Sequence, residues 1–79
     1  MAKLPRLSGN EVIKALSKAG FSPIRQKGSH VFMLKQSSGE SQENRIALVV
    51  PMHKEIDTGT LLEIIRQSKL SRDDFMKLL

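Results

Sequence analysis

The stretch HVFMLKQSSGESQENRIALVV at residues 30–50 decides the fold. It contains two short apolar runs, 30–35 and 45–50, and runs of this length that are rich in branched and aromatic residues are typical of β-strands. The segment between them, 36–44, has no apolar side chain, which predicts a flexible hairpin loop. Pro51 ends the second run. The stretch therefore predicts two antiparallel strands joined by a polar loop.

A third strand is predicted immediately upstream. Lys27-Gly28-Ser29 has the composition of a tight turn before the strand that begins at His30. The short segment that begins at Phe21 contains Pro23, and proline is found mainly on edge strands because it cannot donate to the hydrogen-bond ladder. We therefore predict a three-stranded antiparallel meander with this segment at its edge.

Helices are predicted before and after the meander in the chain. Ser8-Gly9-Asn10-Glu11 has the spacing of a capping box and starts a helix over about 9–19, which Gly20 ends. Thr58 is predicted to cap a second helix, and Ser71 a short terminal one. The fold class is α+β, with the order α-β-β-β-α, helices on one face of the sheet and a short C-terminal helix. In the second helix Leu61, Leu62, Ile64 and Ile65 are predicted to face inward, and Phe75, Leu78 and Leu79 are predicted to belong to the short terminal helix.

Composition limits the class of protein. The 79 residues predict a single domain over 1–79, and the absence of cysteine excludes disulfides and thiolate metal sites. The longest apolar run, 46–50, is far shorter than the ~20 residues of a membrane helix. No apolar segment follows Lys3 to form a signal peptide. We expect a cytoplasmic protein that has no membrane contact.

The charge of the chain suggests a polyanionic partner. Lys and Arg number 13 against 8 Asp and Glu, for a net charge of +5, which favours nucleic acid. The alternative is that the charge serves solubility only. With three Phe and no Trp or Tyr, the chain is poorly supplied for stacking bases. We therefore expect contacts with the backbone and shape of the nucleic acid.

The central strands are apolar on both faces. Val31 and Met33 alternate with Phe32 and Leu34, whereas two short helices cover only one side of a small sheet. Either the polar loop and the terminal helix fold over the second side, or another chain covers it, including a second copy of this one.

Two histidines, His30 and His53, are the candidates for chemistry. Neither has metal-ligand spacing, and no nucleophilic triad or phosphate-binding glycine motif is present. On RNA, an imidazole at His30 can take a proton from a 2′-hydroxyl or give one to the leaving 5′-oxygen, with no need for a metal. Gly28 and Ser29 allow close approach of a ligand, and Lys27 supplies a cation.

Structural roles are the alternatives for the same residues. His30 can simply begin a strand and hydrogen-bond a carbonyl group, and His53 can cap a turn instead of acting as a second proton carrier. Lys14 and Lys18, four residues apart on the first helix, form either a phosphate track or a solvated helix face.

Five segments form a recognisable pattern in order along nearly the whole chain. They are Leu7-Ser8-Gly9 with Val12-Ile13-Lys14-Ala15-Leu16 and Ala19-Gly20-Phe21, Arg25-Gln26-Lys27-Gly28-Ser29-His30, Pro51-x-His53, Gly59-Thr60-Leu61-x-x-Ile64 and Leu70-Ser71-x-x-x-Phe75. Taken together, these segments resemble the HicA family of toxins. The resemblance implies a fold like the double-stranded-RNA-binding domain and an endoribonuclease acting on messenger RNA. It also implies catalysis by the histidine of the glycine-serine-histidine motif, here His30, and neutralisation by a HicB-type antitoxin.

We therefore predict a metal-independent, cofactor-free endoribonuclease toxin with His30 as the catalytic residue and His53 as a possible secondary one. The alternative is a non-catalytic RNA-binding module of the same fold. The predicted RNA contacts are Lys14, Lys18, Arg25, Lys27, Gly28 and Ser29.

Overall fold

The computed structural model describes residues 4–36 and 45–79. It confirms the predicted α-β-β-β-α order with a short helix at the end. Most of the predicted polar loop lies outside the described residues, and Gln36, its first residue, belongs to a strand. The elements are α1 (Gly9–Lys18), β1 (Ser22–Lys27), β2 (His30–Gln36), β3 (Arg45–Pro51), α2 (Thr58–Ser68) and α3 (Arg72–Lys77).

The three strands form one antiparallel sheet in the order β1-β2-β3. His30 in the central strand pairs with Lys27 on one side and with Pro51 on the other. β1 is an edge strand, as Pro23 predicted, and its register shifts between Pro23 and Arg25. Such a shift re-aims the side chains around it.

Burial alternates along the sheet and shows which face the helices cover. Val31 and Met33 of β2 are buried, whereas Phe32 and Leu34 are only partly so. Because alternate residues of a strand point to opposite faces, the helices pack on the Val31 and Met33 side. We call the opposite side the open face. Side chains buried with Val31 and Met33 include Val12, Leu16, Leu48, Val50, Leu61 and Ile64.

The helix starts are determined by side-chain caps. Ser8 Oγ accepts a hydrogen bond from the Glu11 amide at 3.2 Å, while the Ser8 amide donates to Glu11 Oε1 at 2.9 Å, so the predicted capping box is confirmed. The prediction that Thr58 caps α2 is wrong. Asp57 is the cap, because its two carboxylate oxygens accept both the amide and the hydroxyl of Thr60, at 3.1 and 2.7 Å.

Two predictions about the apolar side chains of the last two helices are also wrong. Leu62 is 36% exposed, because the buried stripe of α2 runs through Leu61, Ile64 and Ile65 and leaves Leu62 on its flank. Leu79 is 48% exposed and lies beyond the end of α3.

The terminal helix packs on the helical side of the molecule. Ser71 caps α3, as predicted, and Phe75 is fully buried in the common core. Lys18 Nζ of α1 donates to the Leu78 carbonyl at 3.1 Å. Of the two segments predicted to cover the open face, α3 therefore does not, and 37–44 lies outside the described residues. Within the described ranges, no helix has the length and apolarity needed to cross a membrane.

Candidate catalytic site

His30 occupies the first position of β2 and is exposed. The preceding turn contains just two residues, Gly28 and Ser29, because Lys27 pairs directly with His30. Gly28 has φ +59°, and a positive φ at the first turn position is a feature of the hairpin turns that suit twisted strands. A Cβ on Gly28 would meet no atom within 4 Å. Glycine is therefore required here for its backbone conformation rather than for space.

The strand register brings three basic groups to the open face. His30 and Phe32 share this face because they are two residues apart, and their partners in β1 are Lys27 and Arg25. The guanidinium carbon of Arg25 lies 5.5 Å from the centroid of the Phe32 ring. Arg25, Lys27 and His30, which the sequence analysis singled out together, thus form one basic edge of the open face.

The second histidine lies at the same end of the sheet. The Met52 amide donates to the Ser29 carbonyl at 2.6 Å, so the loop that follows β3 runs directly beside the turn before His30. The carbonyl of His53 accepts from the Gly9 amide at 2.9 Å, and the His53 side chain is exposed. The structure therefore places the loop that carries His53 beside the turn before His30, a relationship that the sequence alone does not show.

Gly9 makes this arrangement possible, and the sequence analysis gave it no role of its own. A Cβ on Gly9 would lie 2.5 Å from the Pro51 carbonyl oxygen and 2.9 Å from Met52 Cα. Both are backbone atoms, so a side chain at Gly9 would displace the loop that carries His53. The available signal was a glycine at the first position of a helix that already has a serine cap.

The two lysines of α1 lie on a different surface. Lys14 and Lys18 line a shallow cavity of about 240 Å³ with Leu78 and Leu79, on the helical side of the sheet. No described hydrogen bond or ion pair links either lysine to His30. Their assignment as RNA contacts stays a prediction. It would require RNA to reach a surface other than the open face that carries His30.

The cations of the open face are not engaged in ion pairs with the described residues. The ion pairs within 4–36 and 45–79 join Arg6 to Glu55 and Arg66 to Glu63. In the same ranges, no group of three or more His, Asp or Glu side chains is placed to hold a metal ion.

A groove of about 640 Å³ lies between α2 and the sheet. Phe32 and Val49 of the sheet line it, together with Glu63 of α2 and Asp57, the cap of that helix. Hydrogen bonds from Thr60 lower the pKa of Asp57, and the Arg66 guanidinium lowers that of Glu63. Asp57 therefore carries a negative charge beside the groove at neutral pH, whereas the charge of Glu63 is balanced by its ion pair with Arg66.

The arrangement of helices and strands defines the structural class of this protein. The three-stranded antiparallel sheet, with both longer helices on one face, is an α+β architecture of the double-stranded-RNA-binding type. Residues 9–70 match the family model described as HicA toxin of bacterial toxin–antitoxin. The chain therefore belongs to the HicA toxin family, which confirms the resemblance seen in the sequence. The match extends from α1 through α2 and ends before α3. No curated protein matched the sequence.

Proposed function

We propose that this toxin is a metal-independent endoribonuclease that cleaves messenger RNA, with His30 as its catalytic residue. The observation that carries the proposal is the position of His30. It is exposed at the start of β2, next to Lys27, on the sheet face that the helices leave open. Family membership supports a toxin that cleaves RNA, and mRNA as the target implies action in the cytoplasm.

The proposed reaction uses the nucleophile that RNA itself carries. The 2′-oxygen forms a bond to the adjacent phosphorus, and the bond from phosphorus to the 5′-oxygen breaks. A base removes the 2′-hydroxyl proton, and an acid protonates the leaving 5′-oxygen, so the products are a 2′,3′-cyclic phosphate and a 5′-hydroxyl. His30 performs one of these transfers. Lys27 and Arg25 stabilise the extra negative charge that develops on the phosphate oxygens.

His53 is the proposed second proton carrier. The hydrogen bond from Met52 to Ser29 keeps its loop beside the turn before His30, and its side chain faces solvent. Two imidazoles at one end of the sheet allow one to act as the base while the other acts as the acid. Replacing His53 by Ala is then expected to slow cleavage without weakening RNA binding.

The remaining RNA contacts fall into two groups. Gly28 and Ser29 present backbone with little side-chain bulk beside His30, so a phosphate can approach closely. Lys14 and Lys18 lie on the helical side and would contact a longer RNA that extends beyond the cleaved bond. Each lysine that contacts single-stranded RNA adds about 0.7 to the log–log slope of affinity against salt.

The same geometry supports control by a HicB-type antitoxin. Leu34 and Val49 are only partly buried on the open face. A protein partner that covered them would gain apolar contact and exclude RNA from His30 in one step. A second copy of this chain on the open face would act in the same way, so self-association is proposed as a competing state.

The test is cleavage of an oligoribonucleotide in EDTA, beside the same oligonucleotide with 2′-deoxyribose 5′ to the cut. The proposal predicts cleavage of the all-ribose substrate and none of the 2′-deoxy substrate. Binding without cleavage would instead establish the RNA-binding module as the function. Cleavage that stops in EDTA would contradict the metal-independent mechanism.

A further inference from the structure

We propose that Arg25 and Phe32 form a stacking platform for one unpaired nucleobase beside the phosphate at which His30 assists cleavage. This inference rests on the proposed action on RNA and specifies which part of the substrate is recognised. It gives the toxin a binding site for a base, and it defines the substrate as RNA whose base at this position is free of pairing.

The platform consists of two flat groups that lie close together. Arg25 and Phe32 are register partners in β1 and β2, and the guanidinium carbon lies 5.5 Å from the ring centroid. Phe32 is only partly buried, so the pair is accessible from the open face. Unpaired bases in RNA complexes stack on aromatic rings and on guanidinium planes, because every base has a π-face.

The spacing of the sheet suits a single nucleotide. His30 with Lys27 forms one cross-strand pair on the open face, and Phe32 with Arg25 forms the next pair on that face. Successive pairs on one face are separated by two residues, roughly 7 Å along the strand. A nucleotide spans a comparable distance between its phosphate and its base. A phosphate at His30 therefore places an adjoining base over Arg25 and Phe32.

Charge orients the nucleotide in the same direction. Phe32 and Val49 line the groove whose opposite wall carries Asp57 and Glu63. The Asp57 carboxylate repels a phosphate but tolerates a neutral base, whereas the charge of Glu63 is balanced by Arg66. Lys27 lies with His30, next to the platform, and attracts the phosphate. The groove thus accepts the base while the phosphate stays at the basic edge.

The Arg25 side chain also favours RNA over a protein partner at this position. A guanidinium over the Phe32 ring places positive charge where an apolar protein anchor would otherwise make contact. That charge suits a base that is joined to a phosphate. The platform would add one base contact to the contacts with backbone and shape that the low aromatic content predicts.

The test measures binding in the His30→Ala protein, so that cleavage does not interfere. A short fluorescent single-stranded RNA is compared with versions that carry one abasic position, moved along the strand. One abasic position should weaken binding by about 5- to 100-fold, as expected for losing one stacked base. Arg25→Lys keeps the charge and Phe32→Leu keeps the apolar contact. In both variants the abasic RNA should bind almost as tightly as the intact RNA.

Arg72→Lys, the same change on α3, is the control and should retain the full abasic penalty. A circular dichroism melt of Phe32→Leu establishes that the variant is folded. The inference is overturned if no abasic position weakens binding, or if both variants keep the penalty. It is also overturned if Phe32→Leu loses a protein partner while its RNA binding stays unchanged. None of these outcomes depends on cleavage. Failure of the parent protein to cut RNA would contradict the proposed function, but it would not affect the binding test of the platform.

Discussion

Gly9 and Pro51 approach so closely that a Cβ on Gly9 would lie 2.5 Å from the Pro51 carbonyl oxygen. The contact joins the first turn of α1 to the end of β3, where the loop towards His53 begins. The hydrogen bond from the Gly9 amide to the His53 carbonyl belongs to the same contact. The start of a helix is thereby part of the framework that positions both histidines.

Replacing Gly9 by alanine is predicted to destabilise the protein. Helix propensity alone favours Ala over Gly by about 1 kcal/mol. The added methyl group would instead overlap backbone atoms of Pro51 and Met52, and overpacking costs about 1–3 kcal/mol or more. Urea unfolding should show a loss of on the order of 2 kcal/mol in the free energy of unfolding.

The matched control for this prediction is Gly59→Ala in the first turn of α2. A Cβ there would lie 3.4 Å from Asp57 Oδ2, which is ordinary contact. Gly59→Ala should leave stability unchanged or raise it. Equal stability of Gly9→Ala and the parent would show that the contact with Pro51 is looser than described.

Gly28→Ala is predicted to lower stability for a different reason. The site has room for a methyl group, but φ is +59°, and an L-residue in the left-handed region loses about 1–2 kcal/mol. Replacement by D-alanine, introduced by chemical ligation, should retain the stability of the parent because a D-residue favours positive φ. If both alanine forms destabilise equally, the backbone conformation of Gly28 is not the cause.

Asp57→Asn is predicted to have a pH-dependent effect on stability. Hydrogen bonds from Thr60 lower the pKa of Asp57 in the folded protein. The ionised carboxylate therefore stabilises the fold above the pKa of the unfolded chain, and this contribution is lost as pH falls through the lower pKa of the folded state. The asparagine side chain of the variant retains an oxygen cap but carries no charge. The parent should be more stable at neutral pH, and the difference should vanish in acid.

Unfolding measured across pH for both proteins checks this prediction. Thr58→Ala is the control, since Thr58 is not the cap of α2. A difference between the parent and Asp57→Asn that stays constant down to acid pH would contradict the assigned role of the Asp57 charge.

Phe75→Ala is predicted to cost about 3–5 kcal/mol, the usual loss for truncating a buried Phe. Phe75 is fully buried in the common core although α3 lies beyond the family match at 9–70. Met76→Ala, at a partly exposed position of the same helix, is the control and should cost less. Thermal melts of both variants provide the comparison. A small effect of Phe75→Ala would mean that α3 is dispensable to the core.

Local patterns were sufficient to predict the elements of this fold. The capping box at Ser8, the turn at Gly28 and the edge position implied by Pro23 each depend on residues close together in the chain, and all three are confirmed. The cap of α2 was missed because Asp57 and Thr58 both suit a cap. Only the hydrogen bonds of Thr60 distinguish them.

The candidate site was only partly predictable, because only some of its residues lie close together in the chain. Arg25, Lys27 and His30 lie within one hairpin, so the sequence could associate them. The approach of His53 to this hairpin depends on the long-range hydrogen bond from Met52 to Ser29. The pairing of Arg25 with Phe32 continues the register that the Gly28–Ser29 turn sets, because the register shift lies beyond it, between Pro23 and Arg25. Only the approach of His53 lacks a signature in neighbouring residues.

The central claim is that His30 moves a proton during RNA cleavage. The most direct measurement is the single-turnover cleavage rate of one oligoribonucleotide, at saturating protein, for the parent and for His30→Ala. General acid–base catalysis by one side chain contributes about 10²–10⁴-fold, so the variant should be at least about 100-fold slower while binding the RNA equally well. Equal cleavage rates for the two proteins would contradict the account.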